Sequence, residues 1–123
     1  MIRVWLAVAA IGGFFSVAAG AVAAHLAAGN AHAAELLRTG ALYGMVHAAA
    51  ILATAAIAER SVRPDLLLAI AGWSFVVGVW LFSFSLFALA LTRWIWLALV
   101  TPFGGTALLI GWAALGLSAL RRR

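Results

Sequence analysis

Three histidines are the residues of this sequence with the widest chemical range near neutral pH. One of them, His47, stands in the apolar stretch LYGMVHAAAIL at residues 42–52. An imidazole there can donate a hydrogen bond, accept one or carry a proton. Tyr43 precedes it by one helical turn on the same face. The other uncharged polar groups that such a site could recruit are His25, Ser83, Ser85 and Thr101. Two readings of His47 follow. In one it is a neutral histidine that fixes helix register through bonds to neighbouring helices, because an unsatisfied polar group in lipid is costly. In the other it belongs to a small pocket open to the periplasm.

Other chemistries find less support. Glu35, Glu59 and Asp65 are the three acids, and all flank apolar runs, where carboxylates act as caps or ion-pair partners. GMVHAAAIL lacks the glutamate and second histidine of a zinc-binding HExxH helix. Ligation of haem or metal by His25 and His47 is disfavoured, since their depths differ by roughly 15 Å. With no cysteine, zinc–thiolate and iron–sulfur sites are excluded. No serine has a base beside it in a recognisable motif. No catalytic residues, metal or cofactor are therefore expected, and His32 reads as solvated.

The elements that position these groups are apolar runs. Of 123 residues, 67% are hydrophobic and 9% charged, against about a quarter charged in soluble domains. Lipid is the solvent this composition suits. All eight basic residues are arginine, giving a net charge of +5. They are scattered at the ends of the apolar runs, without the basic face that nucleic acid requires. Four runs, at 4–24, 40–58, 66–91 and 95–117, each approach or exceed the roughly 20 residues that cross a hydrocarbon core. Each must be helical to satisfy its backbone. The expectation is an all-α, four-transmembrane-helix bundle in one domain, 1–123. Arg3 followed by an apolar stretch and AVAAH resembles a signal peptide; the run is read here as a retained first helix.

Connections are short. Residues 25–38 form the longest, with a short outer helix at 30–38 capped by Asn30 and carrying Glu35 and Arg38 at i,i+3. Pro64 separates the second and third runs, Asp65 caps the third, and TRW at 92–94 makes a tight hairpin. Four spans place both termini on one side. That side collects Arg3, Arg60, Arg63, Arg121, Arg122 and Arg123; the other has Arg38 and Arg93. The bias predicts cytoplasmic termini in a bacterial inner membrane. Trp94 and Trp96 would then anchor the outer interface and Trp5 the inner one.

Counting helical rise from the cytoplasmic ends places His47 near roughly 16 Å and Ser83 and Thr101 near roughly 25 Å. Tyr43, Ser83 and Thr101 are thus the expected partners of His47. Gly12, Ser16, Gly20 and Ala24 recur at four-residue steps, as do Gly40, Gly44 and Ala48. Such small-residue stripes let helices approach closely, within this chain or against a partner. Pro102 with Gly104 and Gly105 predicts a kink or unwound turn in the fourth helix.

Four segments together bring a family into view. GAVAAHLA at 20–27, LYGMVHAAAIL at 42–52, LFSFSLFALALTR at 81–93 and TPFGGTALLIGW at 101–112 resemble, in order, the motifs of the family called domain of unknown function 423. That family includes YgdD- and YwdK-like proteins and is related to the transmembrane protein 256 type. The resemblance marks Gly20, His25, Tyr43, His47, Phe82, Ser83, Ser85, Thr101, Pro102, Gly104, Gly105 and Trp112. Gly44, Phe84 and Phe87 depart from the glutamine, glycine and tyrosine of the pattern, which removes polar groups near His47 and Ser83. The resemblance implies a four-helix inner-membrane protein without an established activity. The functional expectation is a non-enzymatic packing or accessory component with the lipid bilayer as partner, alone, as a homo-oligomer or in a larger membrane complex. The alternative is a small-molecule binder or transporter with a periplasm-facing polar site around His47.

Overall fold

The computed structural model describes residues 1–63 and 65–122; the expected break at Pro64 lies outside them, as does Arg123. Among the described residues, four helices are long and apolar enough to cross a membrane. They comprise α1 (Ile2–Leu26), α2 (Ala31–Glu59), a third span in two parts, α3 (Leu66–Val79) and α4 (Ser85–Thr92), and α5 (Leu97–Arg121). A π-helical turn, Trp80–Phe84, joins α3 to α4 without interrupting the span. No strand occurs among the described residues.

The short outer helix expected at 30–38 and the second span are one helix of 29 residues. No breaker stands between them, because Gly40 serves packing rather than a turn. A Cβ built there would lie 2.6 Å from the Phe87 ring and 3.2 Å from the Ser83 carbonyl oxygen. At about 1.5 Å per residue α2 is about 44 Å long, more than the roughly 30 Å of hydrocarbon. The excess falls in its first turns, which carry His32, Glu35 and Arg38. Asn30 caps this helix, accepting from the Ala33 amide at 3.1 Å. Glu35 and Arg38 approach to 3.9 Å on an exposed face, a geometry that contributes little.

α1 packs chiefly on α2, and α5 on α3 and the π turn; α2 and the third span form the middle of the bundle. The buried residues of α1 are Trp5, Ala9, Gly12, Ser16, Ala19 and Ala23. Their steps alternate between four and three, the 3.5-residue period that keeps a seam facing its neighbour. A strict four-residue stripe drifts by about 40° per step, so Gly12 and Ser16 face inward while Ala24 is exposed. The buried glycines are internal contacts: Gly12 faces Val79, Gly44 faces Ser16, and Gly111 faces the Phe75 ring. Gly13 and Gly116 have nothing within 4 Å of a built Cβ.

Two corrections concern special residues. Trp5 is 0% exposed and lies on the Cβ-free face of Gly72, so it is core rather than an interfacial anchor. An indole fits there because glycine opens a groove in α3. Trp94 and Trp96 are exposed at the Arg93 end, as an interfacial pair would be. The expected break at Pro102, Gly104 and Gly105 is also absent: α5 runs as helix from Leu97 to Arg121. Pro102 sits early in the helix, where only the Ala98 carbonyl loses its amide partner. The irregular turn lies across from it, in Trp80–Phe84.

Arg93 ends α4 in the left-handed region, φ 59°, where a β-carbon costs about 1–2 kcal/mol. Arg93→Gly is expected to stabilise the protein by about 0.5–1 kcal/mol, read as a higher midpoint of thermal unfolding in detergent.

Candidate functional site

His47 is 4% exposed on α2. Its Nδ1 lies 2.7 Å from the Tyr43 carbonyl oxygen. A carbonyl only accepts, so Nδ1 carries the proton. Nε2 is then an acceptor, and the indole Nε1 of Trp112 on α5 donates to it at 3.0 Å. Both ring nitrogens are thereby occupied by a single neutral tautomer. This bond spans 65 residues of sequence and ties α2 to α5 directly.

An aromatic shell holds the pair. Phe75 packs on Trp112 with centroids 5.2 Å apart and on His47 at 5.8 Å. The Tyr43 ring stacks parallel to His47 at 6.0 Å and meets Phe82 at 4.6 Å. Beside them, between α2 and α5, is a cleft of about 350 Å³ lined by Tyr43, His47, Phe82, Gly105, Leu108 and Trp112, among others. Its lining is largely apolar, and both Tyr43 and Trp112 are partly exposed at it.

The polar groups expected to share one level do not form one network. Ser83, 1% exposed, has no hydrogen-bond partner among the described residues. It faces Gly44 beside the equally unpartnered Ser16 hydroxyl. Ser85 and Thr101 pair with each other at 2.7 Å. Ser85 also donates to the Phe82 carbonyl at 2.9 Å and Thr101 to the Leu97 carbonyl at 3.3 Å, and either hydroxyl can donate to the other. The Ser85–Phe82 bond satisfies a carbonyl within the π turn, where the ordinary i→i+4 ladder is displaced. His25 is exposed and donates to the Ala21 carbonyl of its own helix at 2.9 Å. Gly104 admits the π-turn backbone, and Gly105 lines the cleft.

The depth count points to Ser83 and Thr101 as partners of His47; the structure supplies Trp112 and the Tyr43 carbonyl instead. The same count reaches Trp112, which lies nine residues before Arg121 and hence roughly 14 Å deep, close to His47. Its indole N–H is a donor that an apolar tally overlooks.

A second polar locus closes the end of the bundle that holds both termini. Asp65 caps α3, accepting from the Leu67 and Leu68 amides at 2.9 and 3.4 Å. Its other oxygen accepts from the Ser118 hydroxyl and from Arg122, at 3.4 Å for the latter. Arg122 also donates to Ser61 at 2.6 Å. The Ser118 hydroxyl, foremost, holds the Asp65 carboxyl below the usual carboxylate range; partial burial opposes it, and the two amides and Arg122 add to it. A carboxyl whose native value is depressed stabilises the fold fully above the unfolded-state value. That contribution fades below about pH 4, as the unfolded chain takes up its proton first. Thermal midpoints in detergent should therefore fall between about pH 5 and pH 3, and Asp65→Asn should flatten that dependence.

Among the described residues, no group of three histidine, aspartate or glutamate side chains is placed to hold a metal ion. What the His47 site can do chemically is hold two helices in register and present an aromatic cleft beside them.

A family model described as "Protein of unknown function (DUF423)" matches residues 19–105. The chain is 37% identical to a UPF0382 membrane protein of Haemophilus influenzae, over 97% of this chain and 95% of that protein. It is 39% identical to the UPF0382 inner membrane protein YgdD of Escherichia coli, over 97% and 91%. It is 31% identical to the UPF0382 membrane protein YwdK of Bacillus subtilis, over 97% and 98%. No solved structure matches. With the motifs at 20–27, 42–52, 81–93 and 101–112 carried by the helices of one four-span bundle, apart from the terminal residues Ala27 and Arg93, this chain belongs to the DUF423 family of membrane proteins.

Proposed function

We infer that this chain is a non-catalytic accessory component of a bacterial inner membrane, with both termini in the cytoplasm, in which His47 serves the fold. The observation that carries this reading is the occupation of both imidazole nitrogens from within the chain, by the Tyr43 carbonyl and the Trp112 indole. A ligand or proton carrier needs one of them free. The outward faces of α1 and α5 support a role among lipids or neighbouring proteins: Phe14, Val17, Leu99, Phe103 and Leu109 all point away from the bundle. Support for this orientation is the placement of the five described arginines Arg3, Arg60, Arg63, Arg121 and Arg122 at one end against Arg38 and Arg93 at the other.

The chain has no cysteine, so single cysteines report position without background. His32→Cys should react with an impermeant maleimide added outside intact cells, and Arg121→Cys only after lysis. Labelling of position 121 in intact cells would overturn the orientation. For the accessory role, photocrosslinkers at Phe14 and Leu109 should recover a specific protein contact in native membranes. Recovery of lipid alone from both faces would count against it.

A second reading rests on the cleft. Its apolar lining and the Tyr43 phenol at its edge suit a lipid-soluble amphiphile entering between α2 and α5. Retention of such a molecule through purification, lost in Tyr43→Leu, would favour this reading over the first.

A further inference from the structure

The end of the bundle that carries the termini holds a feature that the His47 site does not explain. An open cleft of about 850 Å³ lies between the α2–α3 connection and the end of α5. Four arginines line it: Arg60 and Arg63 from the connection, Arg121 at the end of α5 and Arg122, which caps that helix. Its single acid is Asp65, and that carboxylate is already engaged by Leu67, Leu68, Ser118 and Arg122. Arg122 is therefore fixed as part of the floor, joined to Ser61 and Asp65. Among the described residues Arg60, Arg63 and Arg121 have no carboxylate within 4 Å. Three guanidinium groups thus line one cleft with no counter-ion among the described residues. The amides at the start of α3 are occupied by Asp65 and contribute nothing further.

The rest of the lining is apolar. Val62 is 100% exposed and Leu66 is 74% exposed, with Leu67 beside them. The cleft opens where the apolar spans begin and end, at the start of α3 and the end of α5, and the ends of such spans are where headgroups lie. Guanidinium groups bind phosphate oxygens in a bidentate fork. Basic pockets at the ends of membrane helices select anionic headgroups in this way. A free anion would use the arginines and leave Val62 and Leu66 exposed to water; a phospholipid would use both.

We propose that the cleft formed by Arg60, Arg63 and Arg121 over the Asp65–Arg122 floor binds the phosphate headgroup of an anionic phospholipid, with Val62 and Leu66 against its upper acyl chains. Arg122 is a positioning residue here, since it acts by tying α5 to Asp65. The site holds whichever leaflet this end occupies, and it is independent of the role of His47.

The test is native mass spectrometry of the full chain in detergent, titrated separately with phosphatidylglycerol, phosphatidylcholine and inorganic phosphate. Wild-type protein should retain phosphatidylglycerol at least about tenfold more tightly than phosphatidylcholine, given roughly fivefold per engaged arginine. The triple variant Arg60→Gln/Arg63→Gln/Arg121→Gln should lose that preference, while Arg38→Gln/Arg93→Gln at the opposite end should keep it. Arg63→Gln alone, which leaves the helices untouched, should weaken phosphatidylglycerol binding several-fold if the triple variant fails to fold. Equal retention of the two lipids by wild-type protein would overturn the proposal. So would unchanged phosphatidylglycerol binding in the arginine variants. Displacement of the lipid by millimolar inorganic phosphate would overturn it in favour of a free-phosphate site.

Discussion

Gly104→Ala is expected to destabilise the protein by about 3 kcal/mol, at the upper end of what one added carbon costs in a packed interior. A Cβ at position 104 would lie 2.6 Å from the Leu81 carbonyl carbon and 2.8 Å from the Phe82 Cα. Both are backbone atoms of the π turn, so no side-chain rotation relieves the overlap. α5 would have to withdraw from the third span, and the Ser85–Thr101 bond, 2.7 Å long, would open with it. Gly116→Ala is the matching control, since a Cβ there meets nothing within 4 Å. It should be neutral or stabilising by up to about 1 kcal/mol. Unfolding by sodium dodecyl sulfate measures both, and equal effects at 104 and 116 would contradict the close approach of α5 to the π turn.

His47→Leu is expected to cost about 1–2 kcal/mol. The Tyr43 carbonyl keeps its backbone partner within α2, so its loss is small. The larger part comes from the Trp112 indole N–H, which is left facing an apolar cleft without an acceptor. Leucine fills a comparable space against Phe75, which separates the polar effect from a cavity. The same variant should leave the arginine end and its lipid preference unchanged, because among the described residues no hydrogen bond joins the two loci.

The spans were legible because lipid imposes one requirement, about 20 apolar residues with an internally satisfied backbone, and each run meets it. The capping of α2 by Asn30 and of α3 by Asp65 was legible for a related reason: a short polar side chain at the head of an apolar run has few other uses. Where α2 begins was not. His32, Glu35 and Arg38 look like loop, yet polar residues extend a helix freely once it leaves the hydrocarbon. Trp5 looked like an interfacial anchor because its neighbour Gly72 is distant in sequence and only folding brings the groove to it. The π turn left no mark either, since WLFSF contains neither proline nor glycine. What accommodates it lies in α5, where Gly104 leaves room for the bulged backbone. His47 was visible as a residue needing partners, whereas its partner required knowing which face of α5 turns inward.

The register role of His47 stands or falls with one double-mutant cycle. His47→Leu, Trp112→Phe and the double variant would be unfolded in the same detergent series, with Trp112→Phe preserving the ring contact with Phe75. A shared hydrogen bond predicts that the double variant loses about 1 kcal/mol less than the sum of the single losses. Losses that add to within roughly 0.3 kcal/mol would show that the imidazole and the indole do not hold each other. His47 would then be a free group at the edge of the cleft.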